Sequence, residues 1–313
     1  MNPVQGEDIK ASLNEKGGFQ VWWRLLRPHT LTAAFVPVFI GTMLGVLDGG
    51  FHAGLFLAML TASILIQIAT NMFNEYYDYV RGLDNENSVG IGGTIVRDGI
   101  SPKTVLALAL SLFGAAILLG IYISVTTSWW VAAIGAISML FGYLYTGGPY
   151  PIAYTPFGEL AAGFFMGTII IGISYFIQTL TIHGGVIWIS IPVAIFVGAI
   201  LLANNIRDLD GDKENGRKTI AILLGKQGAI RFLGALFTTA YLLTLIYIII
   251  GLLPLLSFLA FLSIKKAVPA VKGFIGKSQP IEMMPAMKAT AQTNTIYGFL
   301  LGVSLLLQIY LPI

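Results

Sequence analysis

Nine apolar runs, at about 30–47, 54–80, 104–124, 129–146, 157–178, 187–206, 230–250, 252–271 and 290–311, constrain this chain more than any other feature. Most have roughly the 17–25 residues that a helix needs to cross a bilayer. In hydrocarbon every backbone N–H and C=O must be paired within the protein, so such runs fold as helices packed on one another. Charged residues make up 11% of the chain, well under the roughly 25% of soluble domains, so one water-soluble core cannot hide this surface. The expected fold is all-α: a polytopic membrane helical bundle of about nine transmembrane helices, solvated by membrane lipid. The eighth run is the least regular, because its clean apolar part covers only 252–264, before Lys265 and Lys266. As a span it needs those lysines to snorkel; a re-entrant segment is the alternative.

Charge gives the bundle a direction. With a cytoplasmic N-terminus, nine spans put the connections around 81–103, 147–156, 207–229 and 272–289 inside. All 18 Lys and Arg then lie inside or at inner helix ends. The opposite connections, around 47–54, 124–129, 179–186 and 251, carry none, as the positive-inside rule requires. The cell membrane is the expected location, with the charged face toward the cytoplasm. Residues 1–18 read as a flexible polar N-terminus and 19–313 as a single domain. That domain opens on FQVWWRLLRP, aromatic and cationic at once, which suits a helix lying at the headgroups.

Two polar strings end membrane-length runs: NMFNEYYDYVRGLD at 71–84 and NNIRDLDGDKENGRK at 204–218. With Glu86 and Asp98 they hold nine of the fifteen acidic residues. Acidic residues contribute little to topology, so insertion does not call for them. At helical spacing Asn74 aligns with Asp78, and Asn204 with Asp208 and Asp212. Stacked carboxylates repel unless a cation lies between them, and a helix C-terminus itself favours a cation. Oxygen-only ligands suit a hard metal, Mg²⁺ above all where a phosphate completes the shell. The chain has no cysteine, which excludes thiolate sites, and only three scattered histidines. Arg81, Arg97, Lys103, Arg207, Lys213, Arg217 and Lys218 surround the acids, a combination that fits a diphosphate held through bridging Mg²⁺. The net charge of +3 suggests no nucleic-acid partner.

A third feature, YLYTGGPYPIAYTPFGEL at 143–160, is a Gly- and Pro-stiffened link bearing Tyr143, Tyr145, Tyr150 and Tyr154. Tyrosines are ordinary at membrane interfaces. Their alternative role is an aromatic wall that steadies a carbocation formed when an allylic diphosphate ionises. On that reading Tyr143 is catalytic, and Tyr145 and Tyr154 contact substrate.

NEYYDYVRGLD and NNIRDLDGDKENGRKT resemble the two Asp-rich motifs of the UbiA superfamily of intramembrane prenyltransferases. SVGIGGTIVRDG, YTGGPYPIAYTPFGEL and AMKATAQTN resemble, more narrowly, its menaquinone-synthesis branch. The resemblance implies a nine-span bundle and Mg²⁺-dependent transfer of a polyprenyl chain, from a polyprenyl diphosphate to 1,4-dihydroxy-2-naphthoate. By matching position, Asn74, Asp78, Asp208 and Asp212 are its metal ligands, with Asp78 and Asp208 central to catalysis. Arg97, Arg217 and Lys218 are its diphosphate contacts, with Lys103 beside them. The family's usual Asp after Asn is Glu75 here, and its third Asp falls at Gly82, with Asp84 two residues on; neither Glu75 nor Asp84 receives a metal role. The wider superfamily's Tyr-x-x-x-Lys is broken at Gly147. Two rival readings are a sister enzyme using 4-hydroxybenzoate or homogentisate, and a cation-coupled transporter. The transporter predicts acids in mid-helix, whereas these lie at helix ends.

Overall fold

The computed structural model describes residues 18–84 and 93–311. The polar N-terminal stretch 1–17, Glu86 and the start of the SVGIGGTIVRDG motif lie outside the described residues. Among those described there is no strand. The helices are α1 (Phe19–Leu26), α2 (Thr32–Leu47), α3 (Ala53–Val80), α4 (Thr94–Asp98), α5 (Pro102–Thr126) and α6 (Trp129–Thr146). There follow α7 (Gly158–Thr179), α8 (Gly184–Arg207), α9 (Leu209–Glu214), α10 (Ile220–Ile249), α11 (Ile264–Lys272) and α12 (Pro280–Tyr310). Seven of these (α3, α5, α6, α7, α8, α10 and α12) are long and apolar enough to cross a membrane.

The two remaining runs are built differently. The first is the 16-residue α2, entered through a short 3₁₀ turn at Pro28–Thr30. The eighth is nine 3₁₀ residues, Leu255–Ser263, continued by nine α-helical residues, α11. At about 2.0 and 1.5 Å per residue their lengths sum to roughly 31 Å, against a hydrocarbon core of ~30 Å.

Helix ends follow local chemistry. Ser128 caps α6 by accepting from the Trp130 N–H, and Thr219 caps α10 by accepting from the Ile222 N–H. Gln279 and Glu282 form a reciprocal capping box that starts α12 well before its apolar stretch. α10 breaks at Gly225, whose φ of +67° is left-handed.

Packing places the site. Phe196, Tyr241, Tyr297 and Leu301 centre a core shared by α8, α10 and α12. Leu25, Phe73, Val105 and Ala109 join α1, α3 and α5 in a second core. Buried hydroxyls pair across helices, as Thr244 Oγ1 with Tyr297 Oη at 2.7 Å. α7 approaches α8 through Gly163 and Gly167, where an added Cβ would sit 2.5 Å from backbone atoms of Ala194. This small-xxx-small contact lets two backbones touch. From Gly163 to Ile169 α7 runs as a π-helix, and Phe165, Met166 and Ile169 of this segment line a cavity.

Candidate active site

The cavity measures about 610 Å³ and lies among α2, α3, α5, α6, α7 and α8. Its walls are apolar over most of their length, with Met59, Ile117, Ile121, Val131, Met139 and Phe165 among them. At one end, where the C-termini of α3, α6 and α8 converge, the lining turns polar: Arg27, Gln67, Asn71, Asn74, Tyr145 and Asn204. The negative poles of three helices meet there, which favours positive charge.

Both acidic strings lie beside this end, and Arg217 joins them. Its Nη2 donates to Asp78 Oδ1 at 2.8 Å, and its Nη1 lies 3.0 Å from Asp212 Oδ1. The first of these contacts links the first string to a residue 139 positions later, and the second lies within the second string. Tyr154 stands between two guanidinium groups, its ring 5.0 Å from Arg217 Cζ and 5.6 Å from Arg81 Cζ. Arg81 is held by the carbonyls of Thr146 and Gly148, so the Gly-Pro loop locks onto the first string. The Lys218 N–H donates to the Tyr154 carbonyl at 2.9 Å, tying that loop to the second string.

The second string passes from one helix to the next. α8 ends at Arg207, and Asp208 occupies the junction with α9, at φ −92° and ψ 5°. Its carboxylate is bound in fork fashion by Arg207, at 2.7 and 2.5 Å. Asp212 turns inward to Arg217 and is buried. The Asp212 N–H still donates to the Asp208 carbonyl at 2.8 Å, so one helical turn separates the two acids, while their carboxylates take different arginine partners. Burial pushes Asp212 up to about 6, with the Asp208 charge adding to the shift against the opposing pull of Arg217. Asp84 is likewise pushed up to about 6 by burial and by the charges of Asp78 and Glu75. Burial alone would lower Arg217, but the charges of Asp78 and Asp212 prevail and raise it.

The donor set suits a hard divalent cation. Asn74, Asp78, Asp208 and Asp212 offer only oxygen, and Asp212 Oδ2 is buried without a hydrogen-bond partner. Among the described residues no three Asp, Glu, His or Cys side chains are gathered closely enough to hold a metal ion by themselves. Mg²⁺ held at these residues would take the rest of its shell from water or a substrate phosphate.

The remaining expected residues divide. Tyr145 lines the cavity. Tyr143 lies outside its lining, hydrogen-bonded to Tyr77 at 2.6 Å and packed edge-on against Phe73. Arg97 sits on α4, 3.5 Å from Asp98, while Lys103 and Lys218 have exposed side chains. Three participants escaped the sequence reading. Among the described residues Arg27 is the one charged residue lining the cavity, and Glu159 is buried and accepts from Asn205 at 2.9 Å. Glu75, an off-pattern residue in its motif, is 1% exposed and fully engaged with the segment that begins at Gly93.

Residues 34–272 match the UbiA prenyltransferase family. The chain is 55% identical, over 98% of both chains, to the 1,4-dihydroxy-2-naphthoate octaprenyltransferase of Bacillus subtilis (strain 168). It is 26% identical, over 95% of this chain and 99% of the relative, to the protein of the same name from Haemophilus influenzae. A solved UbiA homologue of Archaeoglobus fulgidus bound to GPP and Mg²⁺ shares the fold, with a TM-score of 0.63 at 16% identity. The match covers 90% of this chain and 99% of that one. The membrane helices, the paired acidic strings beside an oily cavity and these likenesses converge: the chain belongs to the UbiA prenyltransferase family.

Proposed function

We propose that this enzyme transfers a polyprenyl group from an allylic diphosphate to 1,4-dihydroxy-2-naphthoate, releasing diphosphate and CO₂ and yielding demethylmenaquinol for menaquinone synthesis. One observation carries the reading. An apolar cavity ends on two acidic strings joined by an arginine, in a chain 55% identical end to end to a relative named for that acceptor.

Each part has a task. The cavity takes the isoprenoid chain and keeps water from the reacting carbon, where hydrolysis would compete. Arg217 and Arg81 supply fixed positive charge beside the leaving diphosphate. Asn74, Asp78, Asp208 and Asp212 would hold Mg²⁺, which when bound neutralises the charge that develops on the diphosphate as the C–O bond breaks. Tyr145 lines the cavity, where an aromatic ring would stabilise an allylic cation. The naphthoate attacks through its carboxylate-bearing carbon. The new C–C bond makes that carbon quaternary, so aromaticity returns only when the carboxylate leaves as CO₂. Nine spans, a cytoplasmic N-terminus and a cytoplasm-facing site in the cell membrane complete the proposal, supported by the one-sided distribution of Lys and Arg.

The test is purified full-length protein in lipid, given geranyl diphosphate and either 1,4-dihydroxy-2-naphthoate or 4-hydroxybenzoate. Product is expected from the naphthoate alone, and none after chelation of divalent metal. Preference for 4-hydroxybenzoate would contradict the acceptor, and full activity in chelator would contradict the metal.

A further inference from the structure

Glu75 sits in the middle of the first acidic string yet points away from it in function. Its Oε1 accepts from the Gly93 N–H at 2.9 Å, the Thr94 hydroxyl at 2.8 Å and the Ile95 N–H at 3.1 Å. Its Oε2 accepts from the same Gly93 N–H at 2.9 Å and lies 3.5 Å from Arg27 Nη2. A carboxylate offers about four lone-pair sites, so these contacts occupy it. Little is left for a metal ion. The donors are the first residues of α4, whose own N-cap, Gly93, has no side chain to cap it. Glu75 therefore caps α4 from another helix, α3.

The same carboxylate governs Arg27. This residue ends α1 in the left-handed region, at φ +49° and ψ +62°, which is costly for a residue with a Cβ and persists only where surroundings enforce it. The enforcement is visible. Asn71 Nδ2 donates to the Leu26 carbonyl at 3.1 Å and to Thr30 Oγ1 at 2.9 Å, pinning the turn on either side of Arg27. Arg24 on α1 pairs with Asp98 on α4 at 2.9 Å, closing a bracket of α1, α3 and α4. Within it Arg27 is, among the described residues, the one charged side chain lining the cavity, beside Asn71, Asn74 and Gln67. Among the described residues its guanidinium has one carboxylate partner, Glu75, at the longer distance of 3.5 Å, and guanidinium is built to bind planar oxyanions in a fork.

We propose that Glu75 is a positioning residue rather than a metal ligand: it fastens α4 to α3 and holds Arg27 so that the guanidinium receives an oxyanion of a substrate at the polar end of the cavity. The oxyanion belongs either to the diphosphate or to the carboxylate of the aromatic acceptor, and the proposal rests on the prenyl-transfer reading. Glu75→Gln replaces one oxygen by an NH₂ that faces N–H groups, donor against donor, and removes the charge beside Arg27.

The experiment uses the full chain in lipid nanodiscs, with geranyl diphosphate, 1,4-dihydroxy-2-naphthoate and Mg²⁺ varied in turn. For Glu75→Gln, KM for one anionic substrate is expected to rise about tenfold or more, while half-activating Mg²⁺ moves less than about twofold. A rise for the diphosphate identifies phosphate oxygens as the bound group; a rise for the naphthoate identifies its carboxylate. Arg27→Gln should reproduce the effect, and the double variant should be no worse than either single, because one residue acts through the other. Mn²⁺ binding followed by electron paramagnetic resonance needs no turnover. It should be unchanged in Glu75→Gln and weakened in Asp78→Asn. Mn²⁺ affinity lost in Glu75→Gln as in Asp78→Asn, additive losses, or unaltered KM values would each overturn the proposal. Should Glu75→Gln fail to accumulate, Thr94→Val removes one donor without stranding a charge, and it and Arg27→Gln must then raise the same KM. A wild-type protein that leaves the naphthoate unprenylated would overturn the functional reading, while the Mn²⁺ comparison would still decide the role of Glu75.

Discussion

Asp78 and Asp212 meet on Arg217, and this contact sets the residue-scale expectations. Asp78→Asn or Asp208→Asn should lower turnover at least about a hundredfold, equivalent to about 2.7 kcal/mol in the barrier, with the amount of protein in the membrane unchanged. Initial rates at saturating Mg²⁺ measure this, and near-normal rates would reduce both acids to solvated helix ends. Arg217→Lys should keep less than about a tenth of activity, since an ammonium cannot make the two-pronged bridge between separate carboxylates. The acidic strings were legible because carboxylates at membrane-helix ends have no topological reason to be there. Glu75 was not legible, because its partners lie 18–20 positions later and are mostly backbone N–H groups, which leave no letter in the sequence. Arg27 was hidden for another reason: beside two tryptophans it reads as an ordinary headgroup contact, and only the turn at Leu26–Thr30 brings it to the cavity.

At the scale of elements, the π segment of α7 and its seat on Ala194 shape the cavity wall. Gly167→Leu should destabilise the protein, because overpacking of a closed contact costs about 1–3 kcal/mol and the backbone of α8 cannot step aside. Gly114→Ala is the matched control, with nothing within 4 Å of an added Cβ. Thermal unfolding in detergent should show a lower Tm for the first and no loss for the second; equal behaviour would contradict the tight α7–α8 contact. Most of the apolar runs coincide with helices to within a few residues, since hydropathy reports burial in lipid directly. α10 and α12 begin about ten residues earlier than their runs, at Ile220 and Pro280. Those opening turns are polar or interrupted, set by the Thr219 cap, the Gly225 break and the Gln279–Glu282 box, none of which hydropathy detects. The mixed 3₁₀ and α build of the eighth run was equally invisible, because its largely apolar first half carries no periodicity that would separate a turn of about 3.0 residues from one of about 3.6.

For the whole molecule, the proposed topology and chemistry make separable claims. Single cysteines placed in this cysteine-free chain at Lys277 and Lys103 should react with an impermeant thiol reagent only from the cytoplasmic side. Those at Thr126 and His183 should react only from outside. External labelling at position 277 would contradict nine spans and restore the re-entrant reading of 252–264. The central claim is that prenylation and loss of the carboxylate occur at one carbon, in a cavity that joins an oily chain to a diphosphate site. Its most direct test is 1,4-dihydroxy-2-naphthoate labelled in the carboxyl carbon, incubated with enzyme, geranyl diphosphate and Mg²⁺. The account predicts one labelled CO₂ for each prenyl group transferred, and none without the diphosphate; a prenylated product that retains the label would contradict it.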